Sequence, residues 1–115
     1  METSEITIGT TTIVTVMGRI HIPAARKLKA LLQRLVNTKK FHLIIDCKGI
    51  ETLSGEGVKT LVAGLHATQK WGGELVLVSL SPHAREVLKA SDFLEVFKVF
   101  PDTSTAVNYF SSPFV

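Results

Sequence analysis

Cys47 is the only cysteine among 115 residues. A lone thiol closes no intrachain disulfide, and no cysteine pair exists to hold zinc. A reducing compartment suits such a chain. Nor do the first residues read as a leader. The opening METSEITIG is polar and acidic, without the basic start and apolar stretch of a signal peptide. Long hydrophobic runs are absent, and charge interrupts each one well short of the roughly 20 residues a spanning helix needs. The expectation is a cytoplasmic protein with no membrane insertion. Aromatics are few, at 7%, and none interleave with the clustered bases, which argues against a nucleic-acid surface. The net charge of +3 is not gathered into one run. Lys39 and Lys40 are adjacent, and Arg26, Lys27, Lys29 and Arg34 cluster loosely. That pattern reads as a solvated helix face.

What is present is a core. The hydrophobic share of 45% is too high for disorder. No repeat, linker or low-complexity tract divides the chain, and its length suits one domain, residues 1–115. The pattern alternates between periods near 2 and 3.6, the mark of strands interleaved with helices. Ile6 and Ile8, a Gly9-Thr10-Thr11 turn, and Ile13, Val14 and Val16 as far as Gly18 read as a hairpin. After Pro23, Ala25, Leu28, Leu31, Leu32, Leu35 and Val36 repeat at helical spacing, with Arg26, Lys27, Lys29, Gln33 and Arg34 on the other side. HLIID, His42 to Asp46, reads as a buried strand ending in an acid. Val58, Leu61, Val62 and Leu65 stripe a second helix, stopped near Trp71 by Gly72 or Gly73. ELVLVSL, Glu74 to Leu80, is the next strand. Ser81-Pro82 starts a third helix, to about Ala90, that packs Val87 and Leu88 inward. A last short strand falls within Phe93–Phe100, and a final helix near Thr103–Phe110. The fold class is α/β, a mixed sheet of about five strands and about four helices, covered mainly on one face.

The chemistry concentrates on LSGEG before the second helix. A nucleophile elbow needs Gly-x-Ser-x-Gly, and Thr52 breaks it. His21, His42, His66 and His83 each read as surface or strand-edge residues, so Ser54 has no evident base. His42 and Asp46 lie about 13 Å apart along a strand, too far for one metal ion. The Gly55-Glu56-Gly57 run completes neither a phosphate loop nor a dinucleotide fingerprint. What the residues do support is local. Ser54 can cap the helix, and Glu56 suits its positive end. Two glycines in a first turn imply that bare backbone is required there or that a partner approaches closely.

The ordered set Asp46, Gly57, Gly72-Gly73, Ser81-Pro82, Arg85, Leu88, Phe93-Leu94 and Phe97 resembles the STAS domain, shared by sulfate transporters and bacterial anti-sigma factor antagonists. Upstream, VMGRIHIPAARKLKALL resembles that family's approach to its first helix, with His21 where an Asp is usual. The resemblance covers nearly the whole chain and implies a non-catalytic regulatory module without a cofactor. It implies a protein partner: a kinase that restrains a sigma factor, or a related regulator. The partner surface would be Ser54, Gly55, Glu56 and Gly57 in the loop before the second helix, with Lys59, His21 and the edge residues Val58 and Val62. In that family a serine in this loop is phosphorylated to break the pairing. Aligned on Gly57, the acceptor position is Gly55, which has no hydroxyl; a one-residue shift would make Ser54 the acceptor, but Leu53 and Gly57 match the unshifted register. The resemblance thus implies docking with the phosphoswitch lost. A second reading is a STAS subunit of another complex, in lipid transport or a larger signalling assembly.

Overall fold

The computed structural model of the chain describes residues 1–111. Strand β1 (Glu2–Ile8) turns through Gly9-Thr10 into β2 (Thr11–Ile20). Gly9 sits at φ +61°, a conformation that costs glycine nothing and most residues something. The two strands pair antiparallel, Ile6 opposite Ile13. From there the chain makes three crossovers. Helix α1 (Ile22–Asn37) leads to β3 (His42–Leu53), α2 (Gly55–Lys70) to β4 (Glu74–Val78), and α3 (Pro82–Ala90) through one 3-10 turn (Leu94–Val96) to β5 (Val99–Phe100). Strands β2 to β5 run parallel, in the order β1-β2-β3-β4-β5. The final helix is α4 (Thr103–Ser111).

The two faces of the sheet are covered unequally. Val14, Val16, Leu43, Ile45, Cys47, Leu75 and Leu77 point into the larger core, where Leu28, Leu32 and Leu35 of α1, Leu61 and Leu65 of α2, and Leu88 of α3 meet them. Steps of one crossover in a constant direction place successive helices on one side of a parallel sheet. Helix α4 packs on the opposite face, with Ala106 against Ile44, Val76 and Val78. This is the α/β mixed sheet of five strands and four helices that the alternating periods imply.

Several boundaries differ from the sequence reading: β1 starts at Glu2, ahead of Ile6, and Thr11 belongs to β2 and not to the turn. Strand β3 does not end at Asp46 but runs on to Leu53. Strand β2 passes Gly18 and reaches Ile20, with register shifts against β3 between Thr15 and Met17 and again at Gly18–Arg19. Gly49 allows this irregular pairing to close: a Cβ there would lie 2.6 Å from Met17 Cγ. Strand β4 stops at Val78, two residues before the predicted end. At the far end of α2 the choice between the two glycines is settled. Gly72 takes φ +81°, while Gly73 is needed for space, because a Cβ there would lie 2.1 Å from the Phe41 carbonyl oxygen.

Candidate functional site

The C-terminal ends of β2 and β3 are paired, Ile20 beside Leu53, and the Ser54 amide donates to the Ile20 carbonyl at 2.9 Å. Helices α1 and α2 therefore leave the sheet side by side. Each starts with a side-chain cap. His21 Nδ1 accepts from the Ala24 amide at 3.2 Å, so this histidine is not merely a surface residue; it does the capping work an Asp does at such a position. Ser54 Oγ accepts from the Gly57 amide at 3.1 Å, as the spacing implies.

Helix α3 starts at the same edge. Ser81 Oγ accepts from the Ala84 amide at 3.2 Å and lies 3.3 Å from the Ile50 carbonyl, to which its hydroxyl donates. His83, in its first turn, accepts at Nε2 from the Leu53 amide at 3.1 Å. The end of β3 and the cap of α2 are thus tied to α3 by a residue 30 positions away. Three helix N-termini converge here, and their positive dipole ends share one edge of the molecule.

The expected Ser54–Gly57 loop is not a loop. Ser54 alone is the connection, and Gly55, Glu56 and Gly57 form the first turn of α2. Within it the two glycines differ. Gly57 is buried, and a Cβ there would lie 2.7 Å from Leu53 Cδ1 and 2.9 Å from Ile20 Cγ2. Gly55 is exposed, with nothing within 4 Å of a Cβ. Glu56 and Lys59 point into solvent and lie 3.5 Å apart. An exposed pair of this kind contributes under about 1 kcal/mol and leaves both charges available to a partner. Val58 is buried beneath them and Val62 is half-buried, so only Val62 is near enough to the surface for the edge role assigned to the pair.

The structure therefore brings His21 and Ser54 to one edge and holds Gly55, Glu56 and Lys59 on the outer side of the same turn. His83 is exposed, as the sequence reading has it, but its bond to the Leu53 amide was not foreseen. Its only local signal is its place after Ser81-Pro82, which says nothing about an amide 30 residues upstream.

Chemically the edge is a set of capped helix ends. Ser54 Oγ is engaged by the Gly57 amide, and the ring nitrogen of His83 that faces β3 is engaged by Leu53. No group of three His, Cys, Asp or Glu side chains is placed to hold a metal among the described residues. Cys47 is buried in the core midway along β3; burial, and then the charge of Asp46 beside it, push its thiol up to about 12. Such a thiol stays protonated and unreactive at neutral pH. No helix among the described residues is long and apolar enough to cross a membrane.

Comparison with known proteins gives a consistent picture. The STAS domain model matches residues 4–106. A candidate anti-sigma factor antagonist of Bordetella bronchiseptica, BtrV, is 28% identical over 95 residues, covering 83% of this chain and 82% of its own. Among solved structures, an anti-sigma factor antagonist from Mycobacterium paratuberculosis superposes with a TM-score of 0.83 at 21% identity, covering 96% of this chain and 94% of that one. The phosphorylated form of the Bacillus cell fate determinant SpoIIAA gives 0.74 at 14% identity, covering 95% and 99%. At such identities the structural likeness speaks for the fold.

Proposed function

The chain belongs to the STAS domain family, and from that membership we propose that it is a non-catalytic regulatory module of the anti-sigma factor antagonist type. It docks a serine-kinase anti-sigma factor, or a related regulator, through the first turn of α2. The observation that carries this reading is the build of that turn. Ser54, Gly57 and the Leu53–His83 bond fix it rigidly from below, while Gly55, Glu56 and Lys59 stand exposed above. A rigid, exposed turn with two opposite charges loses little conformational freedom on docking. His21 lies at the flank of the same surface.

The phosphoswitch is absent in this proposal. Gly55 occupies the position where related antagonists keep their acceptor hydroxyl, and the hydroxyl of Ser54 is held by the Gly57 amide as a cap. The same glycine favours a second reading, in which the domain is a constitutive subunit of another complex, for lipid transport or signalling, and is never released by phosphorylation. Genomic position separates the two: a neighbouring serine-kinase gene supports the first, a transport operon the second.

Calorimetric titration with the serine kinase encoded nearest the gene tests the docking surface. Lys59→Glu is expected to weaken binding roughly ten-fold or more, about 1.4 kcal/mol. Unchanged affinity in both Lys59→Glu and Glu56→Lys would show that the surface lies elsewhere.

A further inference from the structure

Helices α1 and α2 run side by side down the larger face, and a trough of about 200 Å³ stays open between them. Its floor is apolar, with Leu32 and Val36 from α1 and Ala63, Gly64 and Ala67 from α2. Gly64 lets α2 pack closely beneath the trough: a Cβ there would lie 2.8 Å from Leu75 Cδ1 and 3.0 Å from Leu32 Cδ1. Ala63 and Ala67, one turn apart, leave open notches where larger residues would have closed the trough.

The α1 rim carries positive charge. Helix α1 has no acidic residue along its length. Lys29 lines the trough, and Arg26 lies about one turn before it on the same side of the helix. Arg34 is taken up by Glu5 of β1, away from the trough. On α2, Lys70 lies over the Trp71 ring, 5.8 Å from its centroid, and does not line the trough, and the one acid of that helix, Glu56, is paired with Lys59 at the far end. An apolar floor beside a cationic rim, with no unpaired acid on either helix, selects a ligand with an apolar stripe bordered by carboxylates.

We infer that this trough docks an acidic amphipathic helix of a partner protein. The floor supports a helix over a lipid chain. Leu32–Val36 and Ala63–Ala67 repeat at four residues, so the notches recur at the pitch on which a third helix presents its own large side chains. Helix-in-groove recognition uses this arrangement, with aliphatic anchors at i, i+3, i+4 and i+7. The surface lies along the length of the helices, beyond the docking turn at Ser54, and stands whether or not that turn is used.

The test is an amide chemical-shift titration of the full chain. The probe is a synthetic helix of about 18 residues with leucines at i, i+3, i+4 and i+7 and glutamates on the flanks. A twin with lysines for glutamates is the control. The expected result is saturable shifts centred on Ala63 and Ala67 with the acidic peptide and none with its twin. Lys29→Glu should weaken binding roughly five-fold, and Ala63→Leu, which fills a notch at an exposed position, should abolish the shifts while the rest of the spectrum is unchanged. Shifts from both peptides alike, shifts elsewhere, or no shifts overturn the proposal. So does a response to phosphatidylglycerol vesicles in place of the peptide, or self-association of the free protein that perturbs the same amides.

Discussion

Gly55 and Gly57 sit two residues apart and answer to different constraints. Gly57 is small because Ile20 and Leu53 close over it, whereas Gly55 faces open solvent. Alanine should therefore separate them in urea denaturation. Gly57→Ala is expected to lose about 1 kcal/mol or more through overpacking. Gly55→Ala is expected to be neutral or to gain up to about 1 kcal/mol, because alanine restricts the unfolded chain and fits the helix. Ser54→Ala removes the acceptor of the Gly57 amide and should cost about 1 kcal/mol, most of which Ser54→Asp should retain. The cap was legible from Ser54 and the stripe that follows it. The difference between the glycines was not, since it depends on Ile20, which is remote in sequence.

At the scale of elements, helices were read more faithfully than strands. The stripes of α1 and α2 survive because their apolar spacing is regular. The second half of β3 was lost for the opposite reason. Its buried residues Cys47, Ile50 and Leu53 fall every three positions, not every two, because the pairing with β2 shifts register twice. A strand that slips or bulges no longer shows period 2. The tie from His83 to Leu53 joins two elements that no local pattern connects. His83→Ala leaves a nearly buried amide without its acceptor. It should destabilise by about 1–2 kcal/mol and speed hydrogen exchange at the Leu53 amide ahead of the core strands. Helix α4 is anchored at its start by Asp102, whose carboxylate accepts from the Thr105 amide at 2.8 Å and from its hydroxyl at 2.7 Å. Those bonds hold its pKa below the ordinary value. The stabilisation they give is fully present above the ordinary carboxylate value and is lost as pH falls from there through the lower value of the folded state. In an acid titration, the Thr105 amide should keep its protection through the usual carboxylate range and lose it only below that range.

For the whole molecule, a buried thiol sets a limit at the alkaline end. Cys47 keeps its proton when folded up to about 12, while the unfolded chain ionises at the ordinary thiol value. Between those two values the unfolded state binds fewer protons, so stability falls as pH rises. Cys47→Ser should flatten the alkaline slope, though it lowers stability at neutral pH by placing a hydroxyl in the core. On the proposed reading, the three converging helix ends, the rigid first turn of α2 and the absent hydroxyl at Gly55 would together make a docking module that does not respond to a serine kinase. Mass spectrometry after incubation with the neighbouring serine kinase and ATP tests that claim most directly, run on the native chain and on Gly55→Ser, whose side chain has room. The account predicts no phosphate on the native chain and one phosphate mapped to position 55 of the variant. Phosphate on Ser54 of the native chain would contradict it.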